Sequence, residues 1–186
     1  CSLVGSEMCI RDGDITPYNT FEASYRLFQT VEYWPKGTTF VSVVDPGVGS
    51  SRKSVVALTK TGQYIVTPDN GTLSYIKKDV GIVAVREISE VENRRSNTEL
   101  SYTFHGRDVY AYTGAKLASG HISFEEVGPE LPVDKILELP VVETIIEDNL
   151  VRGAIDILDV RFGSLWTSIT RDDFYAWNQT LVIDSR

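Results

Sequence analysis

The sequence is short of the residues on which most metal and thiol chemistry depends. Its 186 residues include two histidines, two cysteines and one methionine. Cys1, Cys9 and Met8 all fall at the very start of the chain, so the rest carries no thiol and no thioether. Disulfide scaffolds and cysteine nucleophiles are thereby excluded from the body of the protein. Two histidines without cysteine do not make a zinc cluster, and no metal site is expected. Gly47-Val48-Gly49 lacks the later glycine of a dinucleotide fingerprint and the Gly-Lys-Ser/Thr of a phosphate loop. There is no Gly-x-Ser-x-Gly nucleophile elbow. No apolar run approaches the roughly 20 residues of a membrane span. Positive charge is also scarce: 18 Lys+Arg stand against 26 Asp+Glu, a net charge of −8. That balance argues against nucleic-acid backbones and membranes as partners, and leaves a cationic small molecule open.

What is present is ordinary globular material, 42% hydrophobic and 24% charged, long enough for one sizeable core plus a piece of another. Residues 1–12 do not match the rest and resemble a peptide encoded by sequencing-adapter DNA read in frame. They are expected to be non-native, and the remainder to be a fragment cut at both ends. Residues 14–140 alternate between strand and helix patterns, the signature of an α/β domain. A turn at 14–19 offers Asn19 or Thr20 as a cap, and Phe21, Tyr25, Phe28 and Val31 form the stripe of a following helix. Strands are expected at 39–44, 54–58, 64–67 and 81–88, with a short helical stretch at 72–77. The first two, joined by a tight loop, read as a hairpin. The polar run 90–100 reads as an exposed connector. Asp108 is placed to cap a helix over 109–118. A proline-bearing passage, 124–139, marks a boundary near Pro140. Beyond it, short β-branched runs at 141–146, 153–158, 165–169 and 180–183, with little helix, read as the beginning of an all-β unit over 141–186.

Functional groups concentrate in loops that an α/β sheet brings to one end. The loop 45–52 carries Asp45 and Arg52 around small, turn-forming residues, and His105 sits beside Gly106 at a predicted helix start. If these three meet, the carboxylate can take a proton from water while the guanidinium and imidazole fix its position. Taken alone, the loop reads first as a hairpin whose Asp45 caps the turn and whose Arg52 is solvated.

Four stretches narrow this choice. Val43-Val44-Asp45-Pro46-Gly47-Val48-Gly49, Pro68-Asp69-Asn70-Gly71, Thr103-Phe104-His105-Gly106-Arg107-Asp108 and Phe162-Gly163-Ser164-Leu165-Trp166-Thr167-Ser168-Ile169 occur in this order. Together they resemble the S-adenosyl-L-methionine (SAM) hydrolases, or SAM hydroxide adenosyltransferases, relatives of the 5′-fluorinases and chlorinases. The resemblance runs from about residue 15 to residue 186. It implies a three-layer-like α/β domain followed by the start of a C-terminal β-barrel-like domain. It also implies hydrolysis of SAM to adenosine and methionine, with SAM as substrate and no cofactor, in a cytoplasmic homotrimer whose sites form between subunits. Asp45, Arg52 and His105 match the family's water-activating set. In the halogenases other residues replace the Asp-Pro-Gly-Val stretch and the His-Gly pair, so Asp45 and His105 point to water. Tyr18, Phe104, Gly106, Asp159 and Ser164 match substrate-binding positions, Asp159 being the partner of the methionine ammonium. Ser164 and Ser168 stand where asparagine is usual, and a hydroxyl offers one donor where an amide offers two, which keeps open a non-catalytic SAM- or adenosine-binding protein beside the hydrolase and the 5′-halogenase. Asp69 and Asn70 are expected to shape their loop.

Overall fold

The computed structural model describes residues 15–140, 142–148, 150–160 and 162–177. The expectations for residues 1–12 and for a strand at 180–183 lie outside that set. The chain divides into two compact units between Leu139 and Pro140. Among the described residues no helix is long and apolar enough to cross a membrane.

The first unit is built on one mixed sheet. Helix α1 (Thr20–Val31) starts where the Asn19 side chain accepts a hydrogen bond from the Glu22 amide at 3.1 Å, supplying one of the partners that a helix N-terminus lacks. Strands β1 (Thr39–Val41), β2 (Ser54–Thr59), β3 (Tyr64–Pro68), β4 (Ile82–Glu87) and β5 (Glu130–Leu131) follow. Their order across the sheet is β1-β3-β2-β4-β5. Only β1 and β3 run parallel; β2 is antiparallel to both β3 and β4. The expected hairpin between β1 and β2 is therefore not formed, because β3 lies between them. Alternation along β2 and β3 sends side chains to opposite faces. Val55, Ala57 and Ile65 join Leu27 and Val31 of α1 in one core, with Ile76 and Val80 of a π-helical turn (Ile76–Val80). Val56 and Val66 join Val109, Tyr110, Phe124 and Val127 in the second. Burial on both faces explains why these strands read as continuous apolar runs.

The expected helix over 109–118 is two pieces. A π-helical turn, Gly106–Ala111, runs into α2 (Tyr112–Ala118). Asp108 lies inside the first piece, not at a cap, and its carboxylate accepts from Arg107 Nε at 2.6 Å. Helix α2 passes close to β1 at Gly114, where an added Cβ would lie 2.5 Å from Val41 Cγ2. That close approach leaves room for no side chain.

The second unit corrects the fold expectation. It holds two separate antiparallel pairs, β6 (Ile145–Glu147) with β7 (Leu150–Arg152), and β8 (Ile155–Asp159) with β9 (Ser164–Thr167). A helix, α3 (Arg171–Trp177), follows. Among the described residues no sheet closes on itself, so the β-barrel-like second domain is overturned; the fold is α/β with mixed sheets. Closure needs an unbroken ladder of tilted strands, and here the ladders stop at two.

Candidate active site

The loop 42–53 leaves the sheet at β1 and returns at β2. Its entry is pinned twice: the Ser42 amide donates to Val66 O at 3.0 Å, and Asn70 Nδ2 donates to Val44 O at 2.8 Å. Two successive tight turns follow, Val48 N to Asp45 O and Ser50 N to Gly47 O, with Gly49 at φ +77. A left-handed residue there favours glycine, and the Tyr102 carbonyl lies 3.0 Å from where a Cβ would stand. The turns fold Arg52 back onto Asp45. Arg52 Nε donates to Asp45 Oδ1 at 3.0 Å and Nη2 to Oδ2 at 2.5 Å, a two-pronged pairing. Both side chains are buried.

The structure brings His105 to this pair. Its Nδ1 lies 3.0 Å from Arg52 Nη2, across 53 residues of sequence. Arg52 Nη1 also donates to Ser54 Oγ at 2.9 Å, and its guanidinium carbon sits 5.5 Å from the centre of the Tyr110 ring. A cleft of about 240 Å³ opens in front of these groups. Asp45 lines it with Val43, Val48, Thr103, Phe104, Gly106 and Arg107. Of the three predicted residues, Asp45 alone forms its wall; Arg52 and His105 stand behind it.

Sequence reasoning missed the groups on the far side of His105. Arg94 Nη2 lies 3.0 Å from His105 Nε2 and donates to Glu90 Oε2 at 2.8 Å. Glu90 Oε1 accepts from Ser54 Oγ at 3.0 Å, which also lies 3.1 Å from the Tyr110 hydroxyl. The run 90–100 is thus no mere exposed connector: Asn93 is buried, donating to Val127 O at 2.9 Å, and the Arg94 side chain is 10% exposed. The Glu90–Arg94 spacing of four was the available sign, but outside a recognisable helix it carries little weight.

The other predicted residues divide. Phe104 and Gly106 are at the cleft, with the Arg107 guanidinium 5.1 Å above the Phe104 ring. Tyr18 is 75% exposed and held at φ 67, a costly conformation for a bulky residue, and it is not among the residues lining the cleft. In the second unit, Asp159 and Ser164 face each other in register at the end of the β8–β9 pair. Asp159 is buried and Ser164 exposed. Ser168 has a local duty, its Oγ accepting from the Ala154 amide at 2.9 Å. Asn70 and Asp69 brace loops, the latter by accepting from the Leu137 amide at 2.9 Å. No cluster that could hold a metal occurs among the described residues.

The electrostatics of the cluster set a pH dependence. Burial lowers the His105 pKa from its ordinary 6.5; Glu90 and Asp45 oppose this, while Arg52 and Arg94 reinforce it. Burial would raise Glu90, but hydrogen bonds from Arg94 and Ser54, with the charges of His105 and Arg94, bring it below its ordinary 4.5. In both cases the unfolded chain binds its proton at higher pH than the folded one. Stability is therefore full above each ordinary value and falls as pH drops toward the folded value. Asp69 and Asp79, raised by burial, act in the opposite sense, but only in the carboxylate range. The urea midpoint is expected to fall from about pH 6.5 downward, and His105→Asn to remove that first fall. A midpoint flat across this window would contradict the assigned environment of His105.

With this geometry in view, the comparisons with known proteins decide the family. Residues 12–128 match the SAM hydroxide adenosyltransferase N-terminal domain. The chain belongs to the SAM hydroxide adenosyltransferase family. Among its relatives, the (R)-S-adenosyl-L-methionine hydrolase of Methanocaldococcus jannaschii is 35% identical over 93% of this chain and 58% of its own length. The enzyme of the same name from Thermus thermophilus is 34% identical over 84% of this chain and 60% of its own. A fluorinase from Actinopolyspora mzabensis is 26% identical over 90% of this chain and 65% of its own. A crystal structure of a conserved protein from Thermotoga maritima superposes with a TM-score of 0.82 at 36% identity, covering 90% of this chain and 62% of that one. The chain thus spans about three fifths of the length of these similar proteins.

Proposed function

We propose that this protein hydrolyses S-adenosyl-L-methionine to adenosine and L-methionine. The observation that carries the reading is Asp45, on the cleft wall, held by two hydrogen bonds from Arg52, which itself touches His105. Family membership and the hydrolase relatives support it. In the proposed step a water oxygen bonds to the ribose 5′ carbon as the bond from that carbon to sulfur breaks. The electron pair goes to sulfur, which leaves as the neutral thioether of methionine, so no acid has to protonate the leaving group. The water's proton passes to the Asp45 carboxylate and then to solvent. Arg52 keeps the carboxylate in one orientation, and His105 steadies Arg52, so the contribution of these two is positioning. Phe104 and Gly106 are proposed to line the ribose end of the cleft. Tyr18 is proposed to pack on substrate, its exposure and backbone strain being the support. Asp159 and Ser164 are proposed to bind the methionine ammonium and the adenine, in a cytoplasmic homotrimer with sites at subunit interfaces.

Protein expressed from the complete reading frame, given SAM in halide-free buffer, is expected to release adenosine and methionine in equal amounts. Turnover that requires chloride or fluoride and yields a 5′-halo-adenosine would overturn the hydrolytic reading in favour of the fluorinase branch.

A further inference from the structure

We propose that Arg94 is a positioning residue of this site, which grips the His105 ring from the side opposite Arg52 and holds it uncharged. The grip stands on geometry alone; its effect on turnover rests on the hydrolase reading. Arg52 Nη2 lies 3.0 Å from His105 Nδ1, and Arg94 Nη2 lies 3.0 Å from His105 Nε2. A guanidinium offers only donors. A doubly protonated imidazole would therefore oppose N–H to N–H at both nitrogens, whereas the neutral ring accepts at one of them.

Each arginine is anchored independently of the histidine. Arg52 is held by Asp45 and Ser54. Arg94 is held by Glu90 and by the carbonyls of Ser101 and Thr98, at 3.2 and 3.4 Å. Neither can easily turn away when the ring gains a charge. The charged and titratable groups around the ring are thus Asp45 and Arg52 from the loop before β2, and Glu90 and Arg94 from the segment after β4. Tyr110 stands beyond Ser54, and Arg107 is turned to Asp108 and Phe104. Burial of the ring and the two guanidinium charges act in the same direction. An uncharged His105 cannot compete with Arg52 for Asp45 as an imidazolium would. The carboxylate is left to the water.

The test is an NMR titration of the imidazole resonances in protein from the complete reading frame, with His105→Asn to assign the peaks. The parent His105 is expected to titrate below the ordinary histidine range. Arg94→Met is expected to move its midpoint up, and Glu90→Gln to move it down. General loosening of the fold would move both variants the same way, so opposite signs are the signature. An unmoved midpoint in Arg94→Met, or shifts of one sign in both variants, would overturn the proposal. In SAM turnover, kcat/KM of Arg94→Met is expected to fall about tenfold more at pH 6 than at pH 8 relative to the parent. Opposite NMR shifts in a protein that does not turn over SAM would leave the grip standing and remove the hydrolase reading instead.

Discussion

Asp45→Asn is expected to lower kcat for SAM hydrolysis by about 10²- to 10⁴-fold, the range a well-placed proton acceptor contributes. The substitution keeps the shape and one oxygen that can accept from Arg52, but removes the charge that takes the proton from water. Among the described residues lining the cleft, Asp45 is the one carboxylate. KM is expected to change far less than kcat, because the lost interaction matters chiefly in the transition state. Steady-state kinetics on the purified variant, with a urea melt to confirm that it folds, reads both quantities. A kcat within about tenfold of the parent would remove Asp45 from the proton-accepting role.

The largest effect on stability is expected at the same pair. Arg52→Met leaves the Asp45 carboxylate, 5% exposed, without its two donors, and strips Ser54 and His105 of a contact. Breaking one side of a buried pair costs about 3–5 kcal/mol, because the remaining charge stays desolvated. Lys53→Ala is the control one residue away. Its pair with Glu87, at 2.6 Å, is open to solvent, and such pairs contribute about 0–1 kcal/mol. Urea unfolding of both variants beside the parent gives the two differences. Equal costs would mean that Asp45–Arg52 behaves as an ordinary surface pair and does not organise the loop.

Much of the first unit was legible because its elements carry local signals. Asn19 marked a helix start through its side-chain oxygen, the runs at 54–58 and 64–67 read as strands because both faces of the sheet are buried there, and the run at 81–88 read as one from its β-branched residues. Pairing was not legible. β1 and β2 flank a tight loop, and a tight loop suggests a hairpin, yet β1 pairs in parallel with β3, beyond both. Which strands meet is settled by packing of α1 and α2 on the two faces, and no short window contains that information. The β-branched runs after Pro140 likewise predicted strands without predicting closure, and among the described residues the barrel-like domain implied by the resemblance is not formed.

At the site, turn and helix-start chemistry marked Asp45, Arg52 and His105 singly, and only the family resemblance implied that they meet, because the contact joins loops 53 residues apart. Arg94 and Glu90 were not marked. They lie in a polar segment that reads as solvated, and their role depends on the chain folding over His105, so that Arg94 is mostly covered. The double-headed contact with histidine is a property of the fold.

Water held at Asp45 is the proposed nucleophile, and the fate of its oxygen can be followed in the products. SAM turned over in heavy-oxygen water is expected to give adenosine carrying one heavy oxygen at the 5′ position and methionine carrying none. Adenosine without label, or label in methionine alone, would contradict attack of water on the 5′ carbon.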